Sequence, residues 1–181
     1  MTPTTNTTTD TATTTFTVMP SPVGPLTLLA EGDALVGLHF DLDPSSQPRP
    51  GWVRDDRRFR DAAAQLDEYF AGRRQTFDLL LAPRGTAFRK LVWKALQAIP
   101  YGQTASYGEI ARAIGQPLAS RAIGGANHHN PLAIVIPCHR VVGADGSMTG
   151  YGGGLARKRT LLDLEAGTAG RRPDLFAARG L

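Results

Sequence analysis

The chain is poor in sulfur: its 181 residues include a single cysteine, Cys138. No disulfide can close within such a chain, and a multi-cysteine zinc site is excluded. Long apolar runs are also missing. The stretch LAIVI at 132–136 is typical of the longest, far short of the ~20 residues that cross a bilayer. The start, MTPTTNTTTDTATTTF, has neither the basic nor the apolar stretch of a secretory signal. These absences predict a reduced, cytoplasmic protein without a membrane partner. Acids are scarce in one region. Between Arg84 and Arg159 ten Lys/Arg face only Glu109 and Asp145, so that segment carries +8 of a net charge of +4 and the remainder carries −4. A basic block suits a polyanion, nucleic acid above all, although a solvated basic face has the same composition.

What is present is ordinary globular material, 41% hydrophobic and long enough to bury a core. Residues 1–15 are mostly threonine and read as a disordered tail. FTVMPSPVGPLTLLAEGDALVGLHF alternates short β-rich runs with turn signals and predicts a small antiparallel sheet. DLDPSSQPRPGW is a loop. Phe59, Ala62, Ala63, Leu66, Tyr69 and Phe70 follow helical spacing up to Gly72, and FDLLL at 77–81 predicts another strand. APRGT marks a boundary near Pro83. Beyond it, Phe88, Leu91, Val92, Leu96 and Ile99 share one helix face. SYGE at 106–109 is a capping box opening a helix that Gly115 stops, and Pro117 can start the next, LASRAIGGAN. Helix, tight turn, helix in a basic setting is the helix-turn-helix pattern, weak evidence by itself. LAIVIP predicts a strand, RVVGADGSMTGY a hairpin turning at Asp145-Gly146 that would serve as a wing, and KRTLLDLEAG a closing helix.

The lone thiol sits in IPCHRVV, followed by His139 and Arg140. A thiolate is the reactive form, so a nearby base or cation has a chemical purpose. Yet consecutive side chains of an extended segment face opposite ways, which turns His139 away from Cys138 unless a water or a turn intervenes. On chemistry alone an inert buried cysteine is the commoner case.

The order of motifs decides differently. SYGEIA, SRAIGGANHHNP, IPCHRVVG, GYGGG and LLDLE together resemble the O6-alkylguanine-DNA alkyltransferases, strongly over residues 86–167 and more loosely through SPVGPLTLL in the first unit. The resemblance implies an α/β (α+β) fold: an RNase H-like α/β domain at 16–83, then a mainly helical domain at 84–167 with a winged helix-turn-helix, and a C-terminal tail at 168–181. It implies a methylated-DNA–protein-cysteine methyltransferase that binds double-stranded DNA, flips out the damaged base and moves an alkyl group from O6-alkylguanine, with O4-alkylthymine a second candidate, irreversibly to its own cysteine. No cofactor and no metal are implied, nor any obligate protein partner; the expected state is a monomer.

Residue by residue, Cys138 falls at the acceptor position. His139 matches the base acting through water, Glu165 its orienting carboxylate, and Tyr107 the tyrosine that binds the flipped base and supplies a proton. Asn130 matches the hinge asparagine and Arg121 the finger that fills the gap in the stack. Ala122, Gly124, Gly125 and Ala126 match a helix of small residues in the minor groove, and Arg140 is placed with the DNA contacts. Val141, Tyr151, Gly152 and Gly153 match the base pocket; many relatives carry a side chain where Gly152 stands. Relatives that hold zinc do so through cysteines this chain lacks, and His128 and His129 read as loop histidines beside DNA. Three competing readings remain distinguishable. A damage-binding module of the alkyltransferase-like type usually has tryptophan in place of Cys138; a transcriptional regulator has no need of this constellation; a cysteine hydrolase would turn over.

Overall fold

A computed structural model describes residues 13–41 and 43–169; most of the N-terminal threonine-rich stretch and nearly all of the C-terminal tail lie outside them. The chain opens with three antiparallel strands, β1 (Thr15–Met19), β2 (Leu26–Glu31) and β3 (Ala34–Phe40), as the alternation of β-rich runs and turns predicts. A two-residue strand, β4 (Val53–Arg54), adds parallel to β1 and completes the order β3-β2-β1-β4. β2 is buried along nearly its whole length, as befits an interior strand covered on both faces. Helix α1 (Arg60–Phe70) buries Ala62, Leu66 and Tyr69, one helical stripe, in the common core.

The edge of the sheet at β3 is the structural pivot. Leu35 exchanges backbone hydrogen bonds with Leu80 and Ala82, and Leu38 exchanges them with Pro131 and Ala133 (2.7 and 3.1 Å). One strand edge therefore holds both the connection leaving the first unit and the segment leading to Cys138, so no free edge is left at these positions. The run at 77–81 is not the predicted strand. The Gln65 side-chain amide takes the place of a strand partner, donating to the Asp78 carbonyl and accepting from its N–H, and the ladder shrinks to a bridge between Leu35 and Leu81.

The second half is helical. Helix α2 (Ala87–Gln97) starts at Thr86, whose hydroxyl accepts from the Arg89 N–H. β5 (Ala105–Ser106) leads into α3 (Tyr107–Ala113), and both halves of the Ser106–Glu109 capping box are formed. The helix ends in a Schellman closure: Gln116 N–H bonds the Ala111 carbonyl, Gly115 N–H bonds that of Arg112, and Gly115 takes φ +72°. Helix α4 (Ser120–His128) starts three residues later than Pro117 suggests, because 116–119 form a turn with no side-chain cap and leave Leu118 in solvent. α5 (Leu155–Ala169) is the last of the described elements and takes in Thr168 and Ala169, which the sequence assigns to the tail.

Two further segments differ from expectation. LAIVI is a wound turn bracketed by Pro131 and Pro137: Val135 N–H bonds the Ala133 carbonyl, Ile136 N–H that of Leu132, and Ile134 sits at φ +72°. β6 (Val141–Val142) pairs in parallel with β5 instead of with a following strand. The predicted hairpin is a tight loop, closed by Gly143 N–H on Ser147 O and by the Asp145 carboxylate on Ser147 N–H. Removing the α3 cap tests the local account. Ser106→Ala should lower stability by about 1 kcal/mol; a urea midpoint equal to that of the unsubstituted protein would show that the cap contributes nothing.

Candidate active site

Cys138–Arg140 form a single 3-10 turn after Pro137. Successive side chains there step by roughly 120° in place of the near reversal of a strand. Cys138 can thus face a cavity while His139 and Arg140 both turn inward onto Glu165 of α5, which removes the difficulty that an extended segment poses.

Glu165 is fully buried and accepts five hydrogen bonds. Oε1 receives the Tyr69 hydroxyl (2.7 Å), His139 Nε2 (2.8 Å) and Arg140 Nη2 (3.0 Å). Oε2 receives Arg140 Nε (2.9 Å) and the Gly102 N–H (3.0 Å). Burial alone would favour the neutral acid. The hydrogen bond from His139, and then the hydrogen bonds and charge of Arg140, outweigh it and hold the carboxyl at about 2. An ionised carboxylate can only accept, so Nε2 of His139 carries the proton and Nδ1 keeps its lone pair. Nδ1 is buried with no hydrogen-bond partner among the described residues. Burial pushes the imidazole below 6.5, Glu165 opposes, and the Arg140 charge reinforces. Burial likewise pushes the Cys138 thiol up, against the Asn130 hydrogen bond and the Lys158 charge. The resting set is a neutral thiol, a neutral imidazole and an ionised carboxylate.

Asn130 fixes the approach to the thiol. Its Nδ2 donates to the Ile136 carbonyl (2.8 Å) and to Cys138 Sγ (3.0 Å), and its Oδ1 accepts from the Leu132 N–H (3.0 Å). A donor aimed at sulfur favours the thiolate over the thiol. Cys138, 7% exposed, lines a cavity of about 510 Å³ shared with Tyr107, Gly124, Gly150, Tyr151 and Gly152. The Tyr107 hydroxyl pairs with that of Thr149 (2.9 Å). Tyr151 stands edge-on to Phe40, and a Cβ at Gly153 would lie 2.6 Å from the same ring, so only glycine fits there. A larger cavity of about 540 Å³ between α2 and α3 touches none of these groups, so size does not locate the chemistry.

On α4, Arg121, Ala122 and Gly125 are exposed, and Gly124 lies under the Tyr107 ring. Three expected site residues sit elsewhere. Ala126 does not face outward: it is buried, and its carbonyl accepts from Trp93 Nε1 (2.9 Å). Arg140 is no surface contact for DNA. It is 6% exposed, spans both Glu165 oxygens and donates its remaining arm to the Ile99 carbonyl (2.6 Å). Val141 is fully buried outside the wall of the thiol cavity; its N–H bonds the Cys138 carbonyl and its own carbonyl accepts from Lys158 Nζ (2.6 Å).

Two participants escape a reading of the sequence. Tyr69 reads as core, yet its hydroxyl reaches Glu165. Lys158 is assigned no role by its sequence context, yet it is fully buried, bonded to the Val141 and Thr149 carbonyls, with its pKa lowered by burial. The signal was available: Lys158, Leu161 and Glu165 fall at the three- and four-residue spacing of one buried helix face.

This fold and site agree with what comparison finds. Residues 15–83 match the ribonuclease-like domain of 6-O-methylguanine DNA methyltransferase, and residues 87–167 match its DNA binding domain. The chain belongs to the 6-O-methylguanine DNA methyltransferase family. The methylated-DNA–protein-cysteine methyltransferase of Mycobacterium tuberculosis is 54% identical over 157 residues, 86% of this chain and 94% of the relative. That of Methanosarcina acetivorans is 49% identical over 151 residues, 83% and 97% respectively. The crystal structure of Mycobacterium tuberculosis OGT in complex with DNA superposes with a TM-score of 0.81 at 51% identity, covering 85% of this chain and 94% of that one.

Glu165→Gln strips Arg140 of its buried counter-charge and should destabilise the fold by about 3–5 kcal/mol. The folded carboxyl titrates below its reference value of 4.5, so this stabilisation is complete above that pH and is lost as pH falls towards 2. Urea unfolding at about pH 7 and about pH 3 should show a wide gap between the two proteins, then a narrower one. A gap that does not change with pH would mean that Glu165 is not held ionised.

Proposed function

We propose that this protein reverses alkylation damage directly, by flipping an O6-alkylated guanine out of duplex DNA and moving the alkyl group onto Cys138. The observation that carries this reading is a lone thiol that shares one cavity with Tyr107, takes a hydrogen bond from Asn130 and is followed in the same turn by a histidine paired with the buried Glu165. Arg121 enters the stack where the nucleotide has left, offsetting an unstacking cost of a few kcal/mol, roughly. Ala122, Gly124 and Gly125 let the α4 backbone approach the groove without bulk between.

The chemistry uses each group once. His139 Nδ1 draws the thiol proton through a water molecule, while Glu165 holds the ring in the tautomer that leaves Nδ1 bare. Asn130 stabilises the thiolate as it forms. Sulfur attacks the alkyl carbon in line; the S–C bond forms as the C–O6 bond breaks, and the electron pair leaves on guanine. Tyr107 supplies a proton to the departing base and is restored by the proton that the thiol gave up, so guanine gains that one proton on a ring nitrogen as O6 becomes a carbonyl. The product is a thioether with no route back, and each molecule reacts once. The protein is its own acceptor and needs no cofactor.

Residues 16–83 then form the supporting unit and 84–167 the acceptor unit, working as a monomer. The cytoplasm, where a lone thiol stays reduced, is the fitting compartment; no helix among the described residues is long and apolar enough to cross a membrane.

Intact mass after incubation with duplex DNA containing O6-methylguanine tests the proposal. The protein should gain one methyl group and no more, with guanine restored in the DNA, and Cys138→Ser should bind the same DNA and gain nothing. Tight binding without a mass change would leave a damage-sensing DNA binder and return Cys138 to a structural role.

A further inference from the structure

Tyr69 belongs to the first unit and to the acceptor site at once. It is fully buried on α1, and its hydroxyl donates to Glu165 Oε1 at 2.7 Å, across 96 residues of sequence. The ring keeps its place without that hydroxyl. It packs edge-on against Phe70 and Tyr101, with centroids 5.3 and 5.9 Å away, and at 40° to Phe77 (5.5 Å). Phenylalanine would fill the same space, and a buried hydroxyl costs free energy unless it is bonded. The use of this oxygen therefore lies in its bond and not in the packing.

The bond falls on the oxygen that governs the base. Oε1 accepts from His139 Nε2 (2.8 Å), whereas the Gly102 N–H goes to Oε2. Each further donor on Oε1 takes up part of its charge and leaves less to stabilise a positive imidazole. Burial and the Glu165 charge both oppose ionisation of the phenol, so here it acts as a donor. The other ionisable groups around the pair are Arg140 in the same turn, Lys158 on α5 and Tyr101 before β5, and both cations also disfavour imidazolium. Arg140 divides its donation between the two carboxylate oxygens. Among the described residues, Tyr69 is the one neutral side chain besides His139 that donates to Oε1.

We propose that Tyr69 is a positioning residue for alkyl transfer: its hydroxyl draws charge from the Glu165 oxygen that holds His139, and so keeps the imidazole neutral and able to accept the thiol proton. The inference rests on the alkyl-transfer reading above and extends its relay by one residue. It also gives the N-terminal unit a part in the chemistry.

Tyr69→Phe removes the hydroxyl and keeps the ring. With one donor fewer on Oε1, imidazolium is favoured and His139 takes up its proton at a higher pH. Transfer needs the neutral ring, so rate is lost on the acid side and kept on the alkaline side. Single-turnover methyl transfer from saturating O6-methylguanine duplex, followed by intact mass between about pH 5 and about pH 8.5, reads this. The variant should be at least about threefold slower than the unsubstituted protein at the acid end and within about twofold at the alkaline end. Long-range nitrogen–proton NMR of the free variant should show His139 protonating at a higher pH than in the unsubstituted protein. Tyr69→Met, an adaptable apolar filler without a hydroxyl, is the second variant and carries the same expectations. Tyr101→Phe is the control within the same aromatic cluster: its hydroxyl pairs with that of Thr168 (2.6 Å) and not with Glu165, so both profiles should stay in place. Slowing by one factor at every pH, no slowing at all, or an acid loss that Tyr101→Phe reproduces overturns the inference. So does a His139 titration that Tyr69→Phe leaves in place or moves to lower pH. An unsubstituted protein that leaves the methyl adduct unreacted overturns the parent reading and the role in transfer with it, while the NMR comparison separately decides whether Tyr69 sets the state of the ring.

Discussion

An ionised carboxylate with no exposure to solvent is the interaction on which the rest of this structure depends. Glu165 keeps its charge because five donors converge on it, and those donors come from four residues: Tyr69 in α1, Gly102 before β5, and the adjacent His139 and Arg140. Desolvating a carboxylate is costly, and only close donors and a counter-charge offset it. Arg140 supplies that charge, and this is why His139 can remain neutral. With the carboxylate already balanced by guanidinium, burial prevails over the pull of Glu165 on the ring. The same network that ties the sheet unit to the helical unit thus sets the protonation state of the imidazole that follows the thiol in the chain.

A second constraint places the thiol itself. The β3 edge holds Pro131 and Ala133, Asn130 gathers Leu132, Ile136 and Sγ, and between them Ile134 sits in the left-handed region. A β-branched residue there carries strain of about 1–3 kcal/mol and persists only where its surroundings over-determine it. The approach to Cys138 is accordingly held from both sides, with little left to arrange when a substrate arrives. Such preorganisation matters most for a displacement that must occur in line, since misplacement by an ångström is expensive in rate.

Much of this was legible in the residues. The sheet of the first unit, helix α1, the capping box of α3 and its Gly115 stop follow from local rules that act within a few residues. Motif order singled out Cys138, Asn130, His139 and Glu165, and the structure joins Asn130 to the thiol and His139 to Glu165. What was not legible depends on contacts distant in sequence. The run at 77–81 has every mark of a strand, but a glutamine side chain from α1 occupies its hydrogen-bonding groups. LAIVI has strand composition, yet two prolines and Asn130 wind it. Arg140 and Lys158 look like surface cations because composition cannot report that a carboxylate and several carbonyls wait for them inside. Ala126 looks like part of a smooth outer face because small residues serve packing and groove approach equally well.

The protonation state of His139 tests the central claim most directly. Long-range nitrogen–proton NMR of its imidazole in the free protein, followed from about pH 8 to about pH 5, reads both charge and tautomer. A buried ring held by an ionised Glu165 should remain neutral, with its proton on Nε2, as pH falls through 6.5. A ring that takes up a proton at or above that pH, or that carries its single proton on Nδ1, would contradict the account and leave the thiol without its base.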